Sequence, residues 1–172
     1  MFEMLDSDTY YDPLTGSFNR FYGMFILQEW IQQKKQFALV FIDLDNIKYV
    51  NDVHGSQEGD EYIKNVCKHL LEIEGDSAVC RLGGNEFMLL IADLDYEKAQ
   101  RLLYRVSNDI EKDKTKLKKD YWCSISVGIV ALDENNDLSS SSILSLADER
   151  MYEHKRSKKR KRLANKNKKE ES

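Results

Sequence analysis

The stretch Arg81-Leu82-Gly83-Gly84-Asn85-Glu86-Phe87 connects two apolar segments, residues 78–82 and 87–92. Both segments have the composition of β-strands, and two adjacent glycines accept the positive φ values of a tight hairpin turn. The sequence therefore predicts a β-hairpin that presents Asn85 and Glu86 at its turn. Backbone N–H groups of a Gly-Gly turn also approach phosphates closely, although any hairpin of this kind shares that property.

Helical and extended patterns alternate on both sides of this hairpin. Residues 37–42 form a continuous apolar run that is typical of a central strand buried on both faces. The remaining patterns predict helices at 19–33, 59–71 and 95–113, a strand at 121–132, and a last helix after the loop 133–142. Because helices and strands do not alternate strictly, the fold class is predicted to be α/β (α+β), with a mixed central sheet flanked by helices.

Length and composition indicate one globular domain. The chain has 172 residues, of which 41% are hydrophobic and 33% are charged. Its apolar runs are far shorter than the roughly 20 residues that span a bilayer, so no transmembrane segment is expected. Residues 1–10 contain no basic residue, which argues against a secretory signal. Three cysteines without CxxC spacing indicate reduced thiols, so we expect a cytoplasmic protein.

Positive charge is concentrated near the C-terminus. The net charge is −4, yet residues 150–172 contain 11 Lys/Arg and only 3 Asp/Glu. We expect a lead-in at residues 1–11, a folded domain at 12–160 and a basic, disordered tail at 161–172. This tail is either simply solvated or in contact with an anionic partner, namely phosphates or a membrane surface. No nucleic-acid partner is expected.

Two carboxylates follow the apolar run at residues 37–42. Asp43 and Asp45 lie on one side of an extended segment because side chains alternate along a strand. Open α/β sheets bind ligands at the carboxyl ends of their strands, and carboxylate oxygens suit Mg²⁺ that also contacts substrate phosphates. Taken alone, the two acids indicate a metal site only weakly, because the same residues also serve simply to end the strand and start a turn.

Two further segments contain groups suited to a nucleotide. Asn51 and Asp60 border a loop with two glycines, and a carboxylate accepts from the adjacent N–H groups of guanine. Taken alone, this loop is explained equally well as a turn before a helix. Lys155 and Lys159 lie one turn apart on the last helix and suit a polyphosphate, although a charged helix face is usually only solvated.

In combination, these segments resemble the GGDEF domain of diguanylate cyclases. The resemblance covers residues 12 to about 159. Six motifs carry it, in the family's order: DPLTGSFNR at 12–20, DLDNIK at 43–48, NDVHGSQEGD at 51–60, RLGGNEF at 81–87, SISVG at 124–128 and ADERMYEHK at 147–155. The domain predicted at residues 12–160 is therefore identified as a member of this family.

The resemblance implies a fold related to nucleotidyl cyclases and polymerase palms. Family members condense two GTP molecules into cyclic di-GMP and pyrophosphate, and two domains meet face to face to do so. A homodimer or a partner GGDEF domain is therefore expected for any catalysis. The family's site, carried across by residue, has a catalytic turn (Gly83, Gly84, Asn85, Glu86), nucleotide-binding residues (Asn51, Asp60, Lys48, Lys155, Lys159) and a Mg²⁺ or Mn²⁺ site (Asp43, the backbone of Leu44, Asn85).

Asn85 departs from the family, which carries an acid at this position as a metal ligand. Asparagine has nearly the same shape but no charge, so the resemblance implies a weakened metal site. Losing several kcal/mol of transition-state stabilisation would slow the reaction by roughly 10² to 10⁴. Glu86 keeps its carboxylate, but it is one position further along the strand and is expected to face the other way.

Three other features depart from the family. Residues 74–77 read Glu-Gly-Asp-Ser where the family's RxxD inhibitory site lies, so we expect no cyclic di-GMP binding there. Lys159 stands where the family usually has arginine, whose bidentate guanidinium it cannot reproduce. No sensor or coiled-coil segment precedes Asp12, so we expect either an excised domain or pairing that is controlled by another molecule.

Three functions are compatible with these residues. The favoured one is a catalytically impaired GGDEF domain that binds GTP and acts as a regulatory module of cyclic di-GMP metabolism. The second is an active diguanylate cyclase that is slow or dependent on manganese. The third is a protein-interaction domain without a nucleotide function.

Overall fold

The computed structural model describes residues 9–170, with side chains described to residue 167. The elements in chain order are β1 (Phe18–Asn19), α1 (Arg20–Gln32), β2 (Phe37–Leu44), α2 (Ile47–His54), α3 (Ser56–Leu71), β3 (Ser77–Gly83), β4 (Glu86–Ala92), α4 (Tyr96–Lys116), β5 (Ile125–Leu132) and α5 (Ser140–Glu170). The strands form one sheet in the order β1-β3-β4-β2-β5. Strands β1 and β3 are parallel, and the other neighbours are antiparallel. The predicted α/β (α+β) class with a mixed sheet is therefore confirmed.

Strand β2 lies at the centre of the core, since all of its residues are buried. Its side chains alternate between two apolar layers. Val40 and Ile42 pack in the layer formed with α3 and α4, whereas Leu39 and Phe41 pack in the layer formed with α1 and α5. The apolar run is thus a strand buried on both faces, as predicted. Asp43 follows the run near the end of this strand.

Strands β3 and β4 form the predicted hairpin, with a register shift between Arg81 and Gly83. One guanidinium holds this turn in place. Arg81 Nη2 donates to the Gly84 carbonyl at 2.7 Å, and Arg81 Nη1 lies 3.1 Å from Asp12 Oδ1. The turn is therefore tied to the first motif of the chain, which is almost 70 residues earlier.

Two long helices begin at side-chain caps. Asn19 Oδ1 accepts from the Tyr22 N–H at 2.9 Å at the start of α1. Asp95 Oδ1 accepts from the Lys98 N–H at 2.8 Å at the start of α4. These caps satisfy backbone donors that have no partner within the helix. Within residues 9–170, no helix combines the length and the apolar character that crossing a membrane requires.

The segments around α3 and β5 differ from the prediction. A helix was predicted from residue 59, but α3 begins at Ser56 and the separate helix α2 precedes it. Helix α2 has only eight residues, so its few apolar positions are too short a pattern to distinguish a helix from a loop. Strand β5 begins at Ile125 rather than at residue 121, because the Ser124 N–H donates to the Tyr62 hydroxyl at 2.8 Å.

Both ends of the domain also differ from the prediction. The Asn19 N–H donates to the Tyr10 carbonyl at 2.8 Å, so residues 9–11 take part in the fold, while residues 1–8 of the predicted lead-in lie outside the described residues. Helix α5 continues to Glu170, where a disordered tail was predicted from residue 161. Arg162 Nη2 donates to Ser124 Oγ at 3.2 Å and fixes this part of the helix to the body. Residues 171–172 lie outside the described residues.

Candidate functional site

Asp43 is the central residue of the site. It lies at the end of β2 and is only 6% exposed. Its Oδ1 accepts from Asn85 Nδ2 at 2.6 Å, and its Oδ2 pairs with the Lys155 ammonium. An ionised carboxylate only accepts hydrogen bonds, so the amide nitrogen of Asn85 must be the atom that faces it. The structure thus brings together three of the predicted site residues from β2, the hairpin turn and α5.

Glu86 lies on the same side of the sheet as Asp43, which corrects the expectation that it would face away. The two residues are directly opposite each other in the antiparallel register of β2 and β4, and opposite residues share a face. Burial raises the pKa of Glu86, and the negative charges of Asp43 and Asp148 raise it further. The sequence pointed to Glu86 but did not indicate that Asp148, on α5, approaches the same group.

Asp45 has a different role from Asp43. It accepts from Ser124 Oγ and Ser126 Oγ, each at 2.6 Å, and it pairs with the Lys158 ammonium. Burial alone would raise its pKa, but Lys158 and the two hydroxyls outweigh this effect and lower the pKa. For Asp43, burial wins over the hydrogen bond and charge of Lys155, so its pKa is raised. Asp45 is therefore a buried anchor whose oxygens are already satisfied.

The oxygen groups around Asp43 suit a hard divalent cation, but the set is small. Asp43 and Glu86 supply carboxylates, and Asn85 has a carbonyl oxygen that coordinates weakly. Within the described residues, no group of three or more His, Cys, Asp or Glu side chains is arranged to hold a metal ion. The Leu44 N–H donates to the Asn85 carbonyl at 3.1 Å, which holds the end of β2 against the turn. Asp43, Glu86 and the Asn85 carbonyl are the groups that could hold such an ion.

Asn51 and Asp60 lie on the other helices that follow β2. Asn51 is in α2, Asp60 is in the first turns of α3, and both are exposed. The two helices meet closely here, because a Cβ added to Gly59 would lie 1.8 Å from Asn51 Oδ1. The glycine before Asp60 is therefore required for the Asn51 side chain to lie beside α3. The contact thus places the Asn51 side chain beside Gly59, the residue that precedes Asp60.

Of the three lysines predicted to bind phosphate, one contacts Asp43 and two do not. Lys155 contacts Asp43, whereas Lys48 and Lys159 are exposed and have no hydrogen bond or ion pair to Asp43 among the described residues. Lys158, which the sequence did not single out, occupies the position beside Lys155. It contacts Asp45 and donates to the Ile125 carbonyl at 2.7 Å.

Helix α5 is held against β5 by a regular series of contacts. Arg150 Nη1 donates to the Ile129 carbonyl at 2.5 Å, and His154 Nδ1 accepts from the Val127 N–H at 3.0 Å. Lys158 continues the series at Ile125. The three side chains are four residues apart on α5 and meet every second residue of β5. This spacing was visible in the sequence, but it becomes informative only when the partner strand is known.

Gly128 allows the same helix to approach the sheet closely. A Cβ at this position would lie 1.9 Å from the Ala147 carbonyl oxygen and 2.4 Å from the Met151 nitrogen. Both atoms are backbone, so they have no side-chain freedom to move aside. The close approach sets the position of α5, and through it the position of Lys155 at Asp43.

The fold and the arrangement around Asp43 place this chain in a known family. The family model described as "Diguanylate cyclase, GGDEF domain" matches residues 9–161. The chain belongs to the GGDEF family of diguanylate cyclases, whose domains act in cyclic di-GMP signalling.

Named relatives share this domain. Probable diguanylate cyclase DgcT of Escherichia coli K12 is 35% identical over 150 residues, which are 84% of this chain and 33% of DgcT. Diguanylate cyclase DgcN of the same organism is 30% identical over 149 residues, which are 84% of this chain and 36% of DgcN. The chain thus spans about a third of the length of these relatives.

Solved structures show the same fold. Diguanylate cyclase SiaD of Pseudomonas aeruginosa, in complex with its activator SiaC, has a TM-score of 0.77 at 26% identity and matches 86% of this chain and 58% of SiaD. The coiled coil and GGDEF domain of DgcB from Caulobacter crescentus, in complex with c-di-GMP, has a TM-score of 0.78 at 22% identity. That match covers 88% of this chain and 83% of the DgcB chain.

Proposed function

We propose that this chain is a guanine-nucleotide-binding GGDEF domain whose cyclase activity is impaired by Asn85. The observation that carries the proposal is the 2.6 Å hydrogen bond from Asn85 Nδ2 to Asp43 Oδ1. With Lys155 at the other oxygen, Asp43 is satisfied by the protein alone. Aspartate at position 85 would instead place a second carboxylate against Asp43, and two adjacent carboxylates require a cation or a shared proton.

Within this proposal, Mg²⁺ or Mn²⁺ would be held by Asp43 and Glu86, with weaker help from the Asn85 side chain and the Leu44 backbone. Such an ion would neutralise charge on the reacting phosphates. The turn at Gly83 and Gly84 would bring backbone N–H groups to those phosphates. Asn51 and Asp60 would bind the guanine edge, and Lys155, Lys48 and Lys159 would bind the phosphates. Because one domain holds one GTP, catalysis would also need a homodimer or a partner GGDEF domain.

A slow, active cyclase is the second candidate, and the position of Glu86 favours it. Glu86 faces Asp43 across the sheet, so a second carboxylate is available despite Asn85. If Glu86 replaces the missing acid in catalysis, Glu86→Gln would abolish the remaining activity. If the chain makes no product, the same substitution would lower only the affinity for the metal-bound nucleotide.

Calorimetry and turnover separate these functions. GTP is titrated with Mg²⁺ or Ca²⁺ present, and labelled GTP is then incubated with Mg²⁺ or Mn²⁺. We expect binding without detectable cyclic di-GMP, and Asn85→Asp should restore product by roughly 10²-fold or more. Asn135→Asp, the same change on an exposed loop, is the matched control and should change nothing. Clear product from the unmodified chain would overturn the impaired function, and absence of binding heat would favour an interaction domain.

We also propose that cyclic di-GMP does not bind at residues 74–77. The segment precedes β3, contains no arginine, and its Asp76 pairs with Lys35. The segment itself would present the carboxylates of Glu74 and Asp76 to a phosphate, while the guanidinium groups that line the same cavity, Arg101 and Arg105, come from α4. Calorimetric titration of the unmodified chain with cyclic di-GMP should give no binding heat from this segment. Binding at the segment would first require an added arginine, as in Glu74→Arg.

A further inference from the structure

Two lysine-rich segments that are distant in sequence meet on one side of the molecule. Residues 112–119, at the end of α4, contain five lysines, and residues 155–167 of α5 are equally basic. Beside Trp122, between Glu111 and the basic part of α5, lies a groove of about 650 Å³, which we call the Trp122 groove. Its lining residues are Glu111, Trp122, Lys158, Lys161, Arg162, Asn165 and Lys166. The groove combines four cationic side chains with one carboxylate.

Trp122 is the aromatic wall of this groove, and it is 56% exposed. Lys114 Nζ lies 4.2 Å from its ring centroid, which adds a cation to the aromatic surface. The other tryptophan, Trp30, is only 8% exposed and packs in the core. A large aromatic side chain left exposed among cations is the arrangement on which an unpaired base stacks while lysines contact its phosphates.

The cations of the groove differ in availability. Lys158 is engaged with Asp45, and Arg162 donates to Ser124. Lys161 has no hydrogen bond or ion pair within the described part of the chain, so its ammonium is available to a ligand. Glu111 is the one opposing charge, and the surrounding lysines outnumber it.

The shape of the region favours an extended polyanion over a membrane surface. An interfacial helix needs a continuous apolar face, but Leu163 is the only large exposed apolar residue that α5 offers between residues 153 and 167. The cationic side chains of the groove, from Lys158 to Lys166, extend over about 12 Å at 1.5 Å per residue, which is longer than one nucleotide. A concave site with an aromatic wall also admits a base more readily than a flat bilayer.

We propose that the Trp122 groove binds single-stranded nucleic acid, with a base on Trp122 and backbone phosphates on Lys161 and its neighbours. This proposal differs from the prediction made from the sequence, which expected no nucleic-acid partner in a chain of net negative charge. The charge is negative only on average, because basic residues of α5 line the groove and Lys114 lies over its aromatic wall. The site is separate from Asp43 and does not depend on the proposed cyclase function.

Fluorescence measurements on the full chain test this proposal. A labelled oligothymidine of about 15 nucleotides should give saturable anisotropy and quench the emission of Trp122, since Trp30 is buried. Raising the salt from about 50 mM to about 200 mM should weaken binding roughly 20-fold if three phosphates are contacted. No binding at the lower salt would overturn the proposal.

Matched variants locate the site. Trp122→Ala and Lys161→Glu should each weaken binding roughly fivefold or more. Tyr104→Ala and Lys98→Glu, the same changes at exposed positions of α4 outside the groove, should leave affinity within about twofold. Equal losses from both pairs would overturn the site. Displacement by excess GTP, or binding to phosphatidylglycerol vesicles without oligonucleotide binding, would assign the groove to a mononucleotide or a membrane and also overturn it.

Discussion

Asn85 contributes no charge at the end of β2, where the family carries an acid. The amide donates to Asp43 on one side while Lys155 neutralises it on the other. A buried carboxylate is tolerated only when it is paired and hydrogen-bonded, and here both conditions are met without a metal. The same hydrogen bond that stabilises the metal-free protein would therefore oppose metal binding.

Asn85→Asp should lower stability in the absence of metal and make stability depend on metal. Replacing the donor with a carboxylate removes a charge-assisted hydrogen bond, so we expect a loss of about 1.5–3 kcal/mol in the free energy of unfolding. Mn²⁺ at about 100 times its Kd should return roughly 2.7 kcal/mol. Thermal unfolding with and without Mn²⁺ measures both effects. An unchanged midpoint without metal would contradict the stabilising role of the Asn85 amide.

At the scale of the elements, β5 and α5 together position the residues around Asp43. Gly128 sets the distance between them, and the contacts of Arg150, His154 and Lys158 set the rotation of the helix. Lys155 reaches Asp43 only if this packing is kept. Residues far from Asp43 therefore control the geometry around it.

Gly128→Ala should be strongly destabilising. The added methyl group would overlap backbone atoms of Ala147 and Met151, so α5 must shift. We expect a loss of about 3 kcal/mol or more, together with weaker GTP binding because Lys155 moves with the helix. Ala131→Gly, an exposed position of the same strand, should cost only about 0.5–1 kcal/mol. Urea denaturation compares the two, and equal losses would show that the close approach is not limiting.

The His154 contact should make stability depend on pH. Burial and the nearby Lys158 lower the pKa of His154 below its ordinary value of 6.5, with Asp45 opposing them. The folded protein thus binds fewer protons than the unfolded chain just below pH 6.5, so this contribution to stability is complete above that pH and is lost as the pH falls. His154→Gln keeps an acceptor for the Val127 N–H without titrating.

Denaturation at pH 7.5 and at pH 5.5 measures this contribution. The unmodified protein should lose more stability between the two pH values than His154→Gln does. His54 and His69 are present in both proteins, so their titration cancels in the comparison. The same pH slope for both proteins would contradict the role of His154.

The elements with regular apolar patterns were predictable from sequence, and the contacts between distant elements were not. The run at residues 37–42 and the hairpin at Gly83 and Gly84 were predictable because period and turn chemistry are local. Helix α2 was missed because its eight residues are too short a pattern, and Lys158 was missed because its partner Asp45 is 113 residues away. The sequence motifs indicate which lysines and carboxylates are candidate site residues, but only the fold shows which lysine contacts which carboxylate.

At the scale of the whole molecule, the proposed reaction needs two domains. Each would hold one GTP, so turnover should depend on encounters between copies. Any cyclic di-GMP formed by Asn85→Asp should increase about fourfold when the protein concentration doubles, as long as dimers are a minority. Initial rates over a dilution series measure this dependence. A strictly linear dependence would indicate a stable dimer already formed at the lowest concentration.

The contacts along β5 also hinder the addition of a further strand to the sheet. An edge strand presents a row of unpaired backbone groups that any extended chain is able to join, which makes such edges starting points for aggregation. In this protein β5 is the last strand of the sheet, and Arg150, His154 and Lys158 occupy its outward-facing groups at alternate residues. The helix whose lysine is proposed to bind phosphate is thus also a cover that keeps a sixth strand from being added.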